Sequence, residues 1–368
     1  MVLSLVALLG VAGPVAPCDP NGADFCGLER AEDIAFIPGT DWFAVSTSSQ
    51  DRPLMFINAH SKQRVAVALP LVGPRGNLAR EHGNVGATDC PGPPTQFRAG
   101  GNDIQRVGRK LRMVVINRAE PGPQQPQQPA DPGRVELLSI KLRAGTPVLQ
   151  WLGCLPVPAP FLLNDVAVAS DGAVYGSHQF DRPRSAAEAA ATREQWLSGT
   201  PTGYALAWHG SQGWTRLPGT EVSFANGIAV SSDARVLAVA GTYSSAVLLV
   251  DRRTGGVRRV PIPLTPDNLT PMEAGGFLVV GHTGVPVTGV DACREPSAVP
   301  CGFPFAVAQI DRTGRVSVIY EHDGSRIPGA SVAVPHHGRL YLGSFFGDRV
   351  TLIDNARAKD RREMRVGS

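Results

Sequence analysis

Pairs of acidic or amide residues recur along the chain, each at the start of a short apolar segment. They are Glu32-Asp33, Asn102-Asp103, Asn164-Asp165, Asn226-Gly227 and Asp267-Asn268. A single pair of this kind is ordinarily a turn signal. Five pairs at the same point of a repeated pattern are not explained by turns. Carboxylate and amide oxygens together form the ligand set that a hard cation such as calcium prefers. The pairs therefore predict a calcium site, provided that the fold brings them together.

The segments that carry these pairs are copies of one pattern, in which a polar residue precedes two hydrophobic strands joined by a turn. Six copies begin at Glu32, Asn102, Asn164, Asn226, Asp267 and Ala330. Their starts are roughly 40 to 70 residues apart, the size of a four-stranded propeller blade with loops of varying length. The predicted fold is all-β: a six-bladed β-propeller with four-stranded blades. Because every innermost strand of a propeller begins at the central channel, the pairs should converge there.

The composition agrees with an all-β ring. The 368 residues include 41 glycines and 32 prolines, and only 18% are charged, which favours many short strands and tight turns.

Ser185 to Leu197 is the exception and predicts a short helix near the channel mouth, with Ser185 and Glu188 forming a capping box. This helix could be a lid or could simply decorate a loop. The net charge of +3, without a basic aromatic face, argues against nucleic acid as a partner.

The first 17 residues are apolar and predict a signal peptide, leaving residues 18–368 as a single propeller domain. A buried first strand is the alternative. Six cysteines without a C-x-x-C pair indicate disulfides, and hence a secreted or periplasmic location. The favoured pairs are Cys18–Cys26, Cys90–Cys154 and Cys293–Cys301. No later segment is apolar for the roughly 20 residues of a transmembrane helix.

Several of these segments together resemble a known family. The motifs are AEDIAF around Glu32, LLNDVAVASDGAVYGS around Asn164, SFANGIAVSSD around Asn226, TPDNLTP around Asp267, VVGHTG around His282 and GASVAVPHHGRLYLGSFF near the end. In this order they resemble the paraoxonase/arylesterase-like calcium lactonases, which are relatives of the gluconolactonase and strictosidine synthase propellers. The resemblance runs from about Cys26 to Asp354.

The resemblance implies two calcium ions in the channel. A catalytic ion would be held by the residues that match the family's upper site, which are Glu32, Asn164, Asn226, Asp267 and Asn268. A structural ion would be held by Asp33, Asp165 and a backbone carbonyl near Ile104. The implied reaction is hydrolysis of a lactone or aryl ester, in which the upper ion polarises the carbonyl oxygen.

The base for this reaction is less clear from the sequence. Where the family has a histidine dyad, this chain has Asn102 and Arg118, neither of which can accept a proton at neutral pH. His282 is expected to be the base or an orienting residue, although a structural hydrogen bond at the strand end would explain it equally well. Asp103 or Asp267 could instead position the water. The alternative function is a non-catalytic, calcium-stabilised propeller that binds a ligand or a protein partner.

Two further expectations concern the end of the chain. The family ties its first and last strands with a disulfide, but no cysteine follows Cys301, so strand pairing alone should close this ring. The adjacent His336 and His337 are expected to be surface residues, with a metal-binding role as a minor alternative.

Overall fold

The computed structural model describes residues 13–49, 51–68, 71, 86–118, 133–283 and 301–354. Within these ranges the chain forms six four-stranded antiparallel sheets, and the predicted six-bladed propeller is confirmed. We number the strands β1 to β26 in chain order. Blade 1 contains β3 (Asp33–Phe36), β4 (Trp42–Ser46), β5 (Leu54–Asn58) and β6 (Arg64–Ala66). Blade 2 contains β7 (Ala99–Val107), β8 (Lys110–Asn117), β9 (Arg134–Arg143) and β10 (Thr146–Pro156). Blade 3 contains β11 (Leu163–Val168), β12 (Val174–His178), β13 (Tyr204–Trp208) and β14 (Trp214–Arg216).

The second half of the chain builds the other three blades. Blade 4 contains β15 (Ala225–Val230), β16 (Val236–Gly241), β17 (Ala246–Asp251) and β18 (Val257–Pro261). Blade 5 contains β19 (Thr265–Pro271), β20 (Phe277–His282), β22 (Phe305–Ile310) and β23 (Val316–His322). Blade 6 contains β24 (Ala330–His336), β25 (Arg339–Ser344), β26 (Arg349–Asp354) and β2 (Asp24–Cys26). All six predicted repeat copies form the two inner strands of a blade.

The innermost strands β3, β7, β11, β15, β19 and β24 contact one another in that order, and β24 returns to β3. They therefore line the central channel. The apolar core lies between neighbouring blades: Leu249 of blade 4, for example, packs in one cluster with Leu269 and Val279 of blade 5. Fully burying a side chain of this size stabilises the fold by about 1.5–3 kcal/mol. This packing fixes the blades around the axis, so that the innermost strand of each blade faces the channel.

Strand pairing closes the ring, as expected. β2 comes from the start of the described chain but forms the outer edge of the last blade, where it pairs with β26. The buried Asp24 strengthens this pairing. Its carboxylate accepts a hydrogen bond from Thr351 Oγ1 at 2.9 Å and lies 3.6 Å from the Arg349 guanidinium. Closure at the outer edge of the last blade therefore depends on β2.

Two of the three predicted disulfides are present, Cys18–Cys26 and Cys90–Cys154. The third includes Cys293, which lies outside the described residues. Residues 1–12 also lie outside them, and Gly13–Pro14 form β1, which pairs with β21 (Cys301–Gly302). The signal peptide over residues 1–17 thus stays a prediction. In the described part of the chain, no helix is long and apolar enough to cross a membrane.

The predicted helix, α1, spans Ala186–Leu197. Ser185 caps it by accepting a hydrogen bond from the Glu188 N–H at 3.1 Å. The reciprocal bond of the capping box is displaced by one residue, because the Glu188 carboxylate accepts from the Arg184 N–H. At its other end, Trp196 packs against Phe224, directly before β15. The helix therefore lies beside the end of the channel where the innermost strands begin.

Candidate metal centre in the channel

Local backbone irregularities aim the paired residues into the channel. The register between the first two strands shifts at the pairs of blades 3, 4 and 5, and just before the pair of blade 2. The shifts fall at Asn164-Asp165, Asn226-Gly227, Asp267-Asn268 and Gly100-Gly101. Such β-bulges leave residues out of the ladder and redirect their side chains. The pairs of blades 3 to 5 are therefore placed for a task other than sheet pairing.

Four of the five residues predicted for the catalytic ion are joined by direct contacts, and we call these four the upper group. They are Glu32, Asn226, Asp267 and Asn268. Asn268 Nδ2 donates to the backbone carbonyl of Glu32 at 3.4 Å, and the Asn226 amide hydrogen-bonds the Asp267 carboxylate. Burial, and next the charge of Glu32, raise the pKa of Asp267 well above its usual range. Two carboxylates held together in a buried site favour a bound cation.

Asn164, the fifth predicted ligand, is partly exposed at the start of β11, the neighbouring inner strand. Its backbone carbonyl accepts a hydrogen bond from Arg118 Nη2 at 3.0 Å. Arg118, which the resemblance placed at one of the family's dyad positions, thus bonds to the backbone beside the predicted site. This role needs a permanent donor, which a guanidinium provides.

Three buried amide oxygens in the channel have no hydrogen-bond partner among the described residues. They are the Oδ1 atoms of Asn102, Asn226 and Asn268. Each amide nitrogen, in contrast, donates to a neighbour. An unpaired buried acceptor costs about 1–3 kcal/mol. The oxygens are thus left free as ligands, and with the nearby carboxylates they match the donor set of calcium.

A second group of carboxylates, the lower group, consists of Asp33, Asp103 and Asp165. Each accepts a hydrogen bond from a backbone N–H of the next blade. The donors are Asn102 N at 2.5 Å for Asp33, Val168 N at 2.9 Å for Asp103 and Ile228 N at 2.9 Å for Asp165. Asp103, predicted as a catalytic candidate, therefore lies with the residues predicted to hold the structural ion.

Burial strongly perturbs the lower group. It raises the pKa of Asp33 to about 7, with the charge of Glu32 contributing, and that of Asp103 to about 6. Burial and the charge of Asp33 raise the pKa of Asp165 well above its usual range. The backbone hydrogen bonds oppose these shifts but do not cancel them. A cation bound among these carboxyls would favour ionisation of all three.

A cavity of about 1100 Å³ extends from the lower group towards the far ends of the innermost strands. Its lining includes all three lower carboxylates and Ile104, the residue whose backbone carbonyl is predicted to bind the structural ion. The Ile104 side chain itself packs in the core between blades 1 and 2. Only the backbone of Ile104 is therefore free to contribute to a site.

His282 ends β20, and its ring lies against Phe345 at a centroid distance of 5.3 Å. Its buried Nε2 has no hydrogen-bond partner among the described residues. Burial lowers the pKa of the imidazole to about 4, although a backbone hydrogen bond with Ala330 opposes the shift. The ring is therefore neutral at physiological pH. Ala330 precedes Ser331, whose Oγ donates to the Glu32 carbonyl at 2.6 Å, so His282 lies close to the upper group.

Sequence reasoning missed the hydroxyl groups that orient the amides. Ser46 Oγ accepts from Asn102 Nδ2 at 2.9 Å, and Thr242 Oγ1 accepts from Asn226 Nδ2 at 3.1 Å. Ser331 belongs to the sixth blade, which lacks an acid–amide pair, and its Oγ donates to the backbone carbonyl of Glu32. A signal was available for the first two. Ser46 ends the second strand of blade 1 and Thr242 directly follows that of blade 4, so both hydroxyl groups lie where the second strand passes the paired residues.

The comparisons agree with the resemblance drawn from the motifs. The Arylesterase family model matches residues 215–351, which include Asn226, Asp267, Asn268 and His282. Human serum paraoxonase/lactonase 3 is 26% identical over 127 residues, or 33% of this chain. The match spans about a third of that protein's length, 35%.

Solved structures show the same fold at low sequence identity. The luciferin-regenerating enzyme aligns over 89% of this chain and 92% of its own, with a TM-score of 0.51 and 13% identity. A protein from Bacteroides thetaiotaomicron aligns over 94% of this chain and 72% of its own, with a TM-score of 0.50 and 10% identity. The fold and the family match together confirm that this chain resembles the paraoxonase and arylesterase propellers, a family of hydrolases.

Proposed function

We propose that this protein is a calcium-dependent hydrolase of lactones or aryl esters, and that hydrolysis takes place at the upper group. The observation that carries the proposal is the set of unpaired buried amide oxygens beside Glu32 and Asp267. The residues that would hold the ion are Glu32, Asn164, Asn226, Asp267 and Asn268. A calcium ion bound there would polarise the ester carbonyl and stabilise the negative charge that develops on its oxygen.

The protein's own side chains would prepare this site in two ways. Thr242 and Ser331 fix the Asn226 amide and the Glu32 backbone, so the oxygen ligands need little reorganisation when substrate binds. His282, neutral and with a free Nε2, can accept a proton from the attacking water. Its low pKa makes it a weak base, so positioning of the water would contribute more than proton affinity.

The lower group would hold a second, structural calcium ion through Asp33, Asp165 and the Ile104 carbonyl. The position of Asp103 supports its addition to this set. An ion there would neutralise carboxylates from three blades and so stabilise the ring. We also place the protein outside the cytoplasm, in a secreted or periplasmic location. The two disulfides support this placement.

The test is a panel of substrates assayed with and without calcium. Initial rates would be measured for aryl esters and for aliphatic, sugar and acyl-homoserine lactones, first in calcium and then after chelation. We expect hydrolysis of at least one class, loss of the rate on chelation and recovery when calcium is restored. Hydrolysis that persists after complete chelation would refute a calcium-dependent mechanism.

One observation favours a second candidate function, a non-catalytic calcium-stabilised binding module. The dyad positions hold Asn102 and Arg118, and both are engaged in structural hydrogen bonds. In that case calcium would raise the melting temperature, while no substrate in the panel would be hydrolysed above the uncatalysed rate. The two outcomes separate the candidates.

A further inference from the structure

Two histidines and one aspartate meet at the mouth of the channel opposite the upper group. Asp41 lies in the turn between β3 and β4, His336 ends β24, and His337 follows in the turn to β25. Asp41 Oδ1 lies 2.9 Å from His336 Nε2 and 3.0 Å from His337 Nε2. All three ligand atoms lie within 4.8 Å of one another. The cluster joins blade 1 to blade 6, across 295 residues of sequence.

The surrounding structure holds these side chains in place. The Asp41 carbonyl accepts a hydrogen bond from Ala59 N at 2.7 Å, which anchors its turn. The His336 ring stacks on Phe36, with centroids 3.9 Å apart and planes 19° from parallel. The His336 side chain is 15% exposed, whereas that of His337 is 76% exposed. The cluster thus has a fixed inner part and one solvent-facing arm.

The backbone at His337 restricts which residues fit there. His337 and Gly338 have φ values of 47° and 75° and form the two central residues of a tight hairpin turn. Turns with positive φ at both positions strongly prefer Asn-Gly. Histidine is tolerated at such a position, because His, like Asn and Asp, is enriched among non-glycine residues with positive φ.

The ligand set and its spacing suit a divalent transition metal. Ligands 2.0–2.2 Å from an ion are separated by roughly 2.8–3.1 Å at right-angled positions and by roughly 3.3–3.6 Å at tetrahedral positions. The two measured oxygen–nitrogen distances fall in the range for right-angled positions. Imidazole nitrogen with one carboxylate favours zinc and similar ions, whereas the all-oxygen channel favours calcium. The nearby cation Arg339 is engaged elsewhere, with Nε 3.5 Å from Asp354.

We propose that Asp41, His336 and His337 bind a divalent transition-metal ion of the zinc type, which links the first blade to the last. The ion would act where the ring closes, on the inner edge of blade 6, while β2 closes the outer edge. Because the ligands come from two blades, binding requires the folded ring and stabilises it. The site also lies on the lining of the 1100 Å³ cavity, so a remaining coordination position is open to water.

The test uses untagged full-length protein saturated with calcium, so that the channel groups do not take up zinc. Zinc would be titrated by calorimetry, and melting temperatures would be recorded with and without it. We expect one zinc ion per chain and a higher melting temperature. X-ray absorption of the zinc-loaded protein should show two imidazole ligands.

The informative variant is His337→Asn, because asparagine suits this turn and leaves the fold intact. We expect the melting temperature of this variant without zinc to equal or exceed that of the wild type. Its zinc affinity should fall at least about tenfold, and zinc should no longer raise its melting temperature. His209→Ala, at an exposed histidine in blade 3, is the control and should bind zinc normally. Absence of saturable zinc binding, or unchanged zinc affinity in His337→Asn, would overturn the proposal. The cluster would then only join blades 1 and 6 by hydrogen bonds.

Discussion

Replacing Asp103 by asparagine should stabilise the calcium-free protein. Burial raises the pKa of this carboxyl from 3.8 to about 6, against the backbone hydrogen bonds from Val168 and Ile104. Each pKa unit corresponds to about 1.4 kcal/mol. At pH 7.5 the ionised Asp103 therefore costs the calcium-free fold up to about 3 kcal/mol, less where cavity water screens it. Asparagine has a similar shape, can still accept from Val168 N and carries no charge.

The pH dependence of this effect has a definite sign. The folded-state pKa lies above the unfolded value of 3.8, so the cost is absent well below pH 3.8 and grows as the pH rises. It is complete above about pH 6. The advantage of Asp103→Asn in chelator should therefore shrink to roughly half between pH 7.5 and pH 5. In saturating calcium the order should reverse, because the variant would lack a ligand or neighbour of the ion proposed for the lower group.

Urea denaturation at the two pH values, with chelator and with calcium, would measure these differences as free energies of unfolding. Asp51→Asn, at an exposed aspartate, is the matched control and should change little under any condition. If Asp103→Asn were less stable than the wild type in chelator at pH 7.5, the claim that the lower group is destabilised by its own charge would be wrong.

Four further predictions test the site and the chain. Glu32→Gln should abolish hydrolysis while the melting temperature in calcium stays close to that of the wild type; retained activity would exclude Glu32 from the upper site. His282→Ala should lower kcat without changing calcium affinity, and an unchanged kcat would exclude the histidine from the reaction. Because burial holds the pKa of His282 at about 4, protonation of this imidazole should not lower the wild-type rate between pH 8 and 5. Gly101→Ala should weaken calcium-dependent stability, because a Cβ there would collide with the Asp165 carboxylate; a normal calcium response would contradict this packing. Non-reducing peptide mapping of protein from its native compartment should find no free thiols and a mature start after about residue 12 to 17; six free cysteines would exclude export.

The repeat made the fold predictable from the sequence. Five of the six copies start with a polar residue and all six alternate strand and turn, so the phase of the pattern located both inner strands of all six blades. The same phase located the residues that line the channel. Strand pairing at closure was also expected, but its partner was not identified. β2 is only three residues long, and nothing in its sequence indicates that it joins the last blade.

The parts that could not be predicted depend on contacts between blades. Asp103 was expected near the reaction, but its carboxylate faces the neighbouring strand β11 and lies with Asp33 and Asp165. Its direction is set by the local register shift in β7, which the sequence marks only by the two glycines before Asn102. Asp41 and His336 are separated by almost the whole chain, and only closure of the ring brings them together.

The two groups in the channel are not independent, because adjacent residues serve both. Glu32 and Asp33 are consecutive and contribute to different groups, and the charge of Glu32 raises the pKa of Asp33. Asn102 donates to Asp33 through both its backbone nitrogen and its side-chain Nδ2. The ionisation state of the Asp33 carboxyl therefore affects the orientation of Asn102 Oδ1 in the channel. A cation bound at the lower group would lower the free-energy cost of ionising Asp33. The ionised Asp33 would then hold in place the adjacent backbone segment that carries Glu32. In the proposed two-ion arrangement, an ion held between three blades at the lower group would favour the backbone position of Glu32 that the upper group needs, and by reciprocity an ion at the upper group would favour binding at the lower one.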